Sequence, residues 1–398
     1  MKITMCLLFV VGSGCDSKGK DARVDARADI ETADTAPADT APADAAPADA
    51  APADATPPDG TTPDATPPDG TTPDATPADA DAGGCGSYTV PQFVARPEAD
   101  QRRFQPSAID PATALFPGKE HFVVYPRGIP LRPELFVMLG GSEGAPQQNT
   151  NIYRIAAQAG YRVIGLAYPN EPSGASLCDG APDQNLCFVA EHEEKIYGIP
   201  GVDGIEVGEP ESIVGRLKRL ITHLATVFPQ EGWEAYLDAD DELVWANIVL
   251  TGFSQGSGHS GYLGKDHLLA RLVFLSSGGD SLIGPDGLPT AADWCKAPRM
   301  TPAERTFGML HVEDNLEGKA LVYAAYGLPA FGDFSNAGEN APPHDCSHQL
   351  LTDLPPRRDP DHFHTSLAND DEMPVDADGI PVLAEDYFYL MVPAPGAQ

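Results

Sequence analysis

Four short apolar runs limit what this chain can build: ELFVMLGG (134–141), RVIGLAYPN (162–170), ANIVLTGF (246–253) and RLVFLSSGG (271–279). Each is nearly continuous rather than alternating, and each gives way to small or turn-forming residues. A strand of this kind is buried on both faces, as in a parallel sheet covered by helices above and below. The segments between carry a helical period. TNIYRIAAQAGY has Ile152, Ile155, Ala156 and Ala159 in register with Gly160 as a stop, and ESIVGRLKRLITHLATVF puts Ile213, Leu217, Leu220, Ile221 and Leu224 on one stripe. Strand, helix and strand within 134–170 make a parallel crossover unit. Its repetition predicts an α/β domain over 85–398, with a doubly wound, mostly parallel sheet.

The first 84 residues cannot join that core. MKITMCLLFVVGSGC has Lys2, an apolar run from Ile3 to Val11, and Gly12, Ser13 and Gly14 ahead of Cys15. The run is far short of the ~20 residues that span a bilayer, so it reads as an export signal. GSGC resembles the lipobox of bacterial lipoproteins, whose cysteine is lipidated and becomes the first residue; Gly12 stands where leucine is usual. The resemblance implies a mature chain starting at Cys15 and lipid-anchored outside the cytoplasm, on a bacterial outer membrane or cell surface.

Residues 16–84 repeat units such as APADA and ATPPDG, with fifteen Asp and one Glu against Lys18, Lys20, Arg23 and Arg27, a net −12 of the chain's −34. Almost no large apolar side chain is available to offset the entropy of ordering. The segment reads as a disordered tether able to reach on the order of 200 Å at ~3 Å per residue. Its Asp residues alternate with Pro and Ala rather than converging on a calcium loop. The body is acidic too, which argues against nucleic acid and against anionic lipid headgroups as partners.

Five cysteines remain after Cys6 and Cys15: Cys85, Cys178, Cys187, Cys295 and Cys346. Cys178 and Cys187 bracket a loop short enough for a disulfide, and Cys295 with Cys346 is the next candidate pair, leaving Cys85 over. No zinc-site spacing occurs, and no metal or cofactor is expected.

TGFSQGSGH (251–259) holds Gly-x-Ser-x-Gly around Ser254. The bare pattern decides nothing in a glycine-rich chain, but here it follows a buried strand and opens a segment that reads as a helix. Gly256, Gly258 and Gly261 cost that helix ~1 kcal/mol each relative to alanine; close packing on the sheet, with Ser254 forced into a tight turn, is a reason for them. With FVMLGGSEGAP, SIVGRLKRL and TFGMLHVED, GFSQGSGH resembles the α/β-hydrolase superfamily, and within it a group of bacterial α/β-hydrolase-like proteins, over most of 120–390. Phe253 departs from that group, which tends to carry His there.

The resemblance implies a nucleophilic serine followed in chain order by an acid and a histidine, because a hydroxyl is a weak nucleophile until a base takes its proton. RTFGMLHVEDN (305–315) reads as a strand ending at Asp314, the candidate acid, with Asp280 after the preceding strand as its rival. SHQLLTD (347–353) reads as the last strand, and His364 or His362 follows it; the family's register favours His364. His259 and His311 read as buried structural histidines. For the oxyanion, the backbone N–H of Gln255 is one candidate donor, and Gly141 or Ser142 in GGSEG supplies the other. Residues 171–210 are an insertion that overhangs the serine and shapes a pocket.

These features predict a tethered serine hydrolase, an esterase working through an acyl-enzyme on Ser254, with a small-molecule or polymer ester as substrate. A non-catalytic binding protein on the same scaffold, or a peptidase or acyltransferase using the same triad, are the alternatives.

Overall fold

The computed structural model describes residues 89–284 and 286–393. The export signal, Cys15, the tether and Cys85 lie outside the described residues. Strands are β1 (Ala99–Phe104), β2 (His121–Pro126), β3 (Leu135–Leu139), β4 (Arg162–Leu166), β5 (Ile248–Phe253), β6 (Arg271–Leu275), a β7–β8 hairpin (Ser281–Ile283, Pro289–Ala291), β9 (Thr306–His311), β10 (Ser335–Asn336) and β11 (Gln349–Thr352). Helices are α1 (Pro106–Ile109), α2 (Thr150–Gln158), α3 (Gly174–Cys178), α4 (Gln184–Tyr197), α5 (Ile213–Val227), α6 (Gln255–Asp266), α7 (Asp293–Lys296), α8 (Leu316–Ala325) and α9 (Ala384–Met391).

Nine strands form one sheet in the order β1-β2-β4-β3-β5-β6-β9-β11-β10. β2 is antiparallel to both β1 and β4, and the strands from β4 onward pair in parallel. The α/β, mostly parallel sheet read from the apolar runs is therefore the fold. β3, β5, β6 and β9 are buried at every residue. Leu135, Val137 and Leu139 share one core with Leu217, Leu220 and Leu224 of α5, while Phe136 and Met138 share the other with Ile152 and Ile155 of α2 and Leu390 of α9. That alternation puts helices on both faces, as the unbroken apolar runs require.

Two strands stand ahead of the first run read as a strand. β1, ADQRRF, is an edge strand with no fully buried position, so its sequence is polar. β9 ends at His311, and Asp314 follows in a tight turn whose N–H donates to the His311 carbonyl.

Cys178 and Cys187 form a disulfide, 5.6 Å apart at Cα. Cys295 and Cys346 do not pair. Cys295 is a buried free thiol packed against Gly279 and Trp294 after β8, whereas Cys346 precedes β11, next to the β10 edge of the sheet, and is bonded to a partner outside the described residues. A spacing argument could not see that Cys295 stays a free, buried thiol.

Candidate active site

The link from β5 to α6 is where the chain is most constrained. Ser254 sits between them at φ 55°, ψ −123°, a conformation that costs a non-glycine residue of order 1–3 kcal/mol. The flanking glycines permit it. A Cβ on Gly252 would strike the Gly256 backbone, and one on Gly256 would strike the Leu139 carbonyl of β3. The same close approach drives α6 against the sheet, its N-terminus behind Ser254 favouring negative charge there. This strand–turn–helix arrangement, an elbow at Ser254, is the local form expected of Gly-x-Ser-x-Gly after a buried strand.

Three segments converge on that serine. His364 Nε2 lies 2.7 Å from Ser254 Oγ, and His364 Nδ1 lies 2.8 Å from Asp314 Oδ2. His362, the alternative histidine, turns away: its ring lies 3.2 Å from Glu372 and 3.4 Å from Asp359, and its side chain is 53% exposed. Asp280, the alternative acid, bonds His192 instead, at 2.8 Å. His311 is buried, its ring bonded to the Leu354 carbonyl and the Glu313 N–H.

Burial works to raise the Asp314 carboxyl, but hydrogen bonding and charge from His364 and Lys319 outweigh it and hold it below the ordinary carboxylate range. Lys319 pairs with Asp314 and stands 3.2 Å from His364 Nδ1. It escapes sequence reading because it lies on α8, a helix with no motif. Phe253 is buried with its ring centroid 5.4 Å from that of His364, so the residue that departs from the family pattern packs against this histidine.

The GGSEG loop runs directly over the elbow. A Cβ on Gly141 would sit 3.0 Å from Ser254 Cβ, which leaves room for little but glycine there. Tyr168 donates to the Gly140 carbonyl (2.6 Å), and Asn170 donates to those of Gly141 (2.5 Å) and Gly144 (2.9 Å). Both follow β4 in the run read only as a strand, and they fix the loop's backbone. The backbone N–H groups of Gly141, Ser142 and Gln255 have no partner among the described residues. Ser142 Oγ donates to Gln255 Oε1 at 2.6 Å, tying the loop to α6.

The insertion at 171–210 folds as α3 and α4 joined by the disulfide, and it overhangs the serine. Ser173, Gly174, Ala175, Phe188, Glu191 and His192 from it line a cleft of about 330 Å³ that also contacts Ser254 and His364. His259 is fully buried beneath, 2.9 Å from His192 Nδ1 through its own Nδ1 and 3.0 Å from Gln255 Nε2 through its Nε2. Burial, then the neighbouring His192 and Lys195, lowers His259 well below the usual imidazole range.

Glu191, His192 and His259 have donor atoms within 4.8 Å of one another, close enough to consider a metal ion. Their geometry is that of a hydrogen-bonded pair: 2.9 Å between ring nitrogens is shorter than the ~3.3 Å expected on one tetrahedral zinc with ~2.0–2.1 Å bonds. Lys195 Nζ, 2.9 Å from Glu191 Oε1, already supplies the cation.

No family model matches the sequence. No curated protein matches it. Among solved structures, the chain is similar to esterase B from Lactobacillus rhamnosis, at 12% identity and TM-score 0.32 over 66% of this chain and 77% of that one. It is similar to MGS-M1, an alpha/beta hydrolase enzyme from a deep-sea metagenome library, at 8% identity and TM-score 0.27 over 58% and 78%. A Klebsiella pneumoniae structure described as a dienelactone hydrolase is similar at 11% identity and TM-score 0.29, over 64% and 85%.

Proposed function

We propose that this chain is a serine hydrolase acting on esters through an acyl-enzyme on Ser254. The observation that carries the reading is the single line of hydrogen bonds from Asp314 through His364 to Ser254 Oγ, at 2.8 and 2.7 Å. His364 Nε2 takes the proton as Oγ attacks the acyl carbon, and later gives it to the leaving alkoxide. Asp314, held ionised, keeps the remaining imidazole proton on Nδ1 and stabilises the imidazolium that forms. The N–H groups of Gln255 and Ser142 receive the charge that develops on the carbonyl oxygen, a contribution worth several kcal/mol in such sites. Water then attacks the acyl-enzyme with the same histidine as base. The cleft walls are mostly hydroxyl, carboxylate and glycine, with Phe188 the large apolar side chain, which favours a short or polar acyl group.

The test is labelling of the full chain by a fluorophosphonate probe. Labelling should occur on the wild type and vanish in Ser254→Ala; equal labelling of both would refute the reading. We also propose that the body is held at a bacterial membrane by a lipid on Cys15. Cys15→Ala should then move the protein from membrane pellets to the soluble fraction, and unchanged pelleting would refute the anchor.

A further inference from the structure

Along the cleft wall, and beneath it at His259, runs a second line of polar side chains that the proposed acyl transfer does not use. Asp280 Oδ2 meets His192 Nε2 at 2.8 Å, His192 Nδ1 meets His259 Nδ1 at 2.9 Å, and His259 Nε2 meets Gln255 Nε2 at 3.0 Å. Gln255 Oε1 then accepts from Ser142 Oγ at 2.6 Å. We infer that Asp280, His192 and His259 are positioning residues that hold the Gln255 amide in one orientation and, through it, fix Ser142 so that the Gln255 and Ser142 N–H groups stay aimed at the oxyanion. This rests on the hydrolase reading of Ser254.

The chain of bonds runs in one direction only. An amide nitrogen can only donate, so His259 Nε2 accepts. His259 is neutral in its buried setting, so its proton is on Nδ1 and is donated to His192 Nδ1. Burial works to lower the His192 pKa, but Asp280 and Glu191 outweigh it and raise it; with Nδ1 accepting from His259, the proton His192 holds is on Nε2 and is donated to Asp280. At the other end the Gln255 oxygen is left for the Ser142 hydroxyl. Each link of the line has one donor and one acceptor, and turning any one group over breaks its neighbour's bond.

The far end is anchored, since Trp294 Nε1 donates to the same Asp280 oxygen at 2.9 Å. The rings cannot swing freely either. His192 is packed with ring centroids 5.0 Å from Tyr262 and 4.8 Å from Trp294, and His259 is 5.6 Å from Tyr168, the tyrosine that also holds Gly140. Gln255 and His259 are one helical turn apart on α6, so the elbow helix carries both an oxyanion donor and the group that orients its side chain. Without His259 the amide is free to rotate, Ser142 Oγ faces either end of it, and the loop loses its tie to the elbow.

Fluorophosphonate labelling of the full chain reads this directly, as a limiting rate and a half-saturation concentration. Gln255→Leu keeps the backbone donor and should still lower the limiting rate about tenfold or more, below the ~10²–10³ cost of losing a whole oxyanion donor. His259→Leu should do the same, each with half-saturation unchanged. The double variant should be no slower than Gln255→Leu alone, because His259 acts through Gln255. Asp280→Asn, which retains an acceptor oxygen for His192, should keep more rate than Asp280→Leu. If His259→Leu does not unfold cooperatively, the cycle is read on Gln255→Leu with Asp280→Leu. Losses that multiply in the double variant, or single variants that are folded and label at the wild-type rate, overturn the inference. Undiminished labelling of Ser254→Ala overturns the hydrolase reading instead.

Discussion

Two histidine–carboxylate pairs meet at one cleft, and only one reaches the serine. In each pair the acid follows a neighbouring strand of the sheet, Asp280 after β6 and Asp314 after β9, and each acid lies 2.8 Å from an imidazole nitrogen. His364 has its second nitrogen on Ser254 and a side chain 38% exposed. His192 has its second nitrogen on His259 and a side chain 2% exposed. A bonded acid therefore does not make a histidine a base. A base also needs a second nitrogen left over for the reacting proton and room for the ring to carry charge.

The largest effects test that contrast at its centre. Ser254→Ala and His364→Ala should each lower turnover of a short-chain aryl ester by about four to six orders of magnitude, and the double variant should be scarcely worse, because the two residues act as a unit. Multiplying losses would show two independent contributions and break the comparison. Next, Asp314→Asn should cost about 10³- to 10⁴-fold in kcat through the wrong imidazole tautomer. Asp280→Asn should cost less than tenfold, since the asparagine oxygen still accepts from His192. The reverse ranking would move the proposed acid to the end of β6.

His362→Ala should stay within about twofold of wild type in kcat, because that ring faces Glu372 and solvent; larger loss would mean that the chain after β11 reaches the serine in another register. The smallest effect concerns stability. His121 on β2 is buried with no carboxylate partner among the described residues, and burial, with the Arg216 charge, lowers its pKa to about 3. A histidine whose folded pKa is depressed adds stability that is complete above its unfolded value of ~6.5 and is lost as pH falls towards 3. His121→Gln, which takes up no proton, should show a flatter fall in Tm between pH 6.5 and 4 than wild type. An unchanged slope would mean that carboxylates alone set the acid limb.

The apolar runs were enough to read β3, β4, β5, β6, β9 and β11, because burial on both faces writes itself into unbroken hydrophobic sequence. β1 was not legible, since an edge strand admits Arg102 and Arg103 and looks like loop, whereas β2, HFVVYP, is apolar and buried at five of its six residues but stands outside the strand–helix alternation that was read. The disulfide at Cys178 and Cys187 was within reach of local spacing, whereas Cys346 bonds elsewhere than Cys295, a choice that depends on which segments the fold brings together. Lys319, Tyr168 and Asn170 carried no motif, and their importance lies only in what they touch.

By itself the sequence determined the elbow: Gly252 and Gly256 are dictated by backbone crowding within a few residues, so a local pattern suffices to mark Ser254. It also supplied the short lists, His362 or His364 and Asp280 or Asp314. Only the tertiary structure chose between them, because the choice depends on which side chains arrive within ~3 Å of one another from segments 50 to 110 residues apart. Two carboxylates after neighbouring strands are alike in sequence. They differ because α4 and α6 bury His192 beneath one of them, while the loop after β11 carries His364 into the open cleft beside the other.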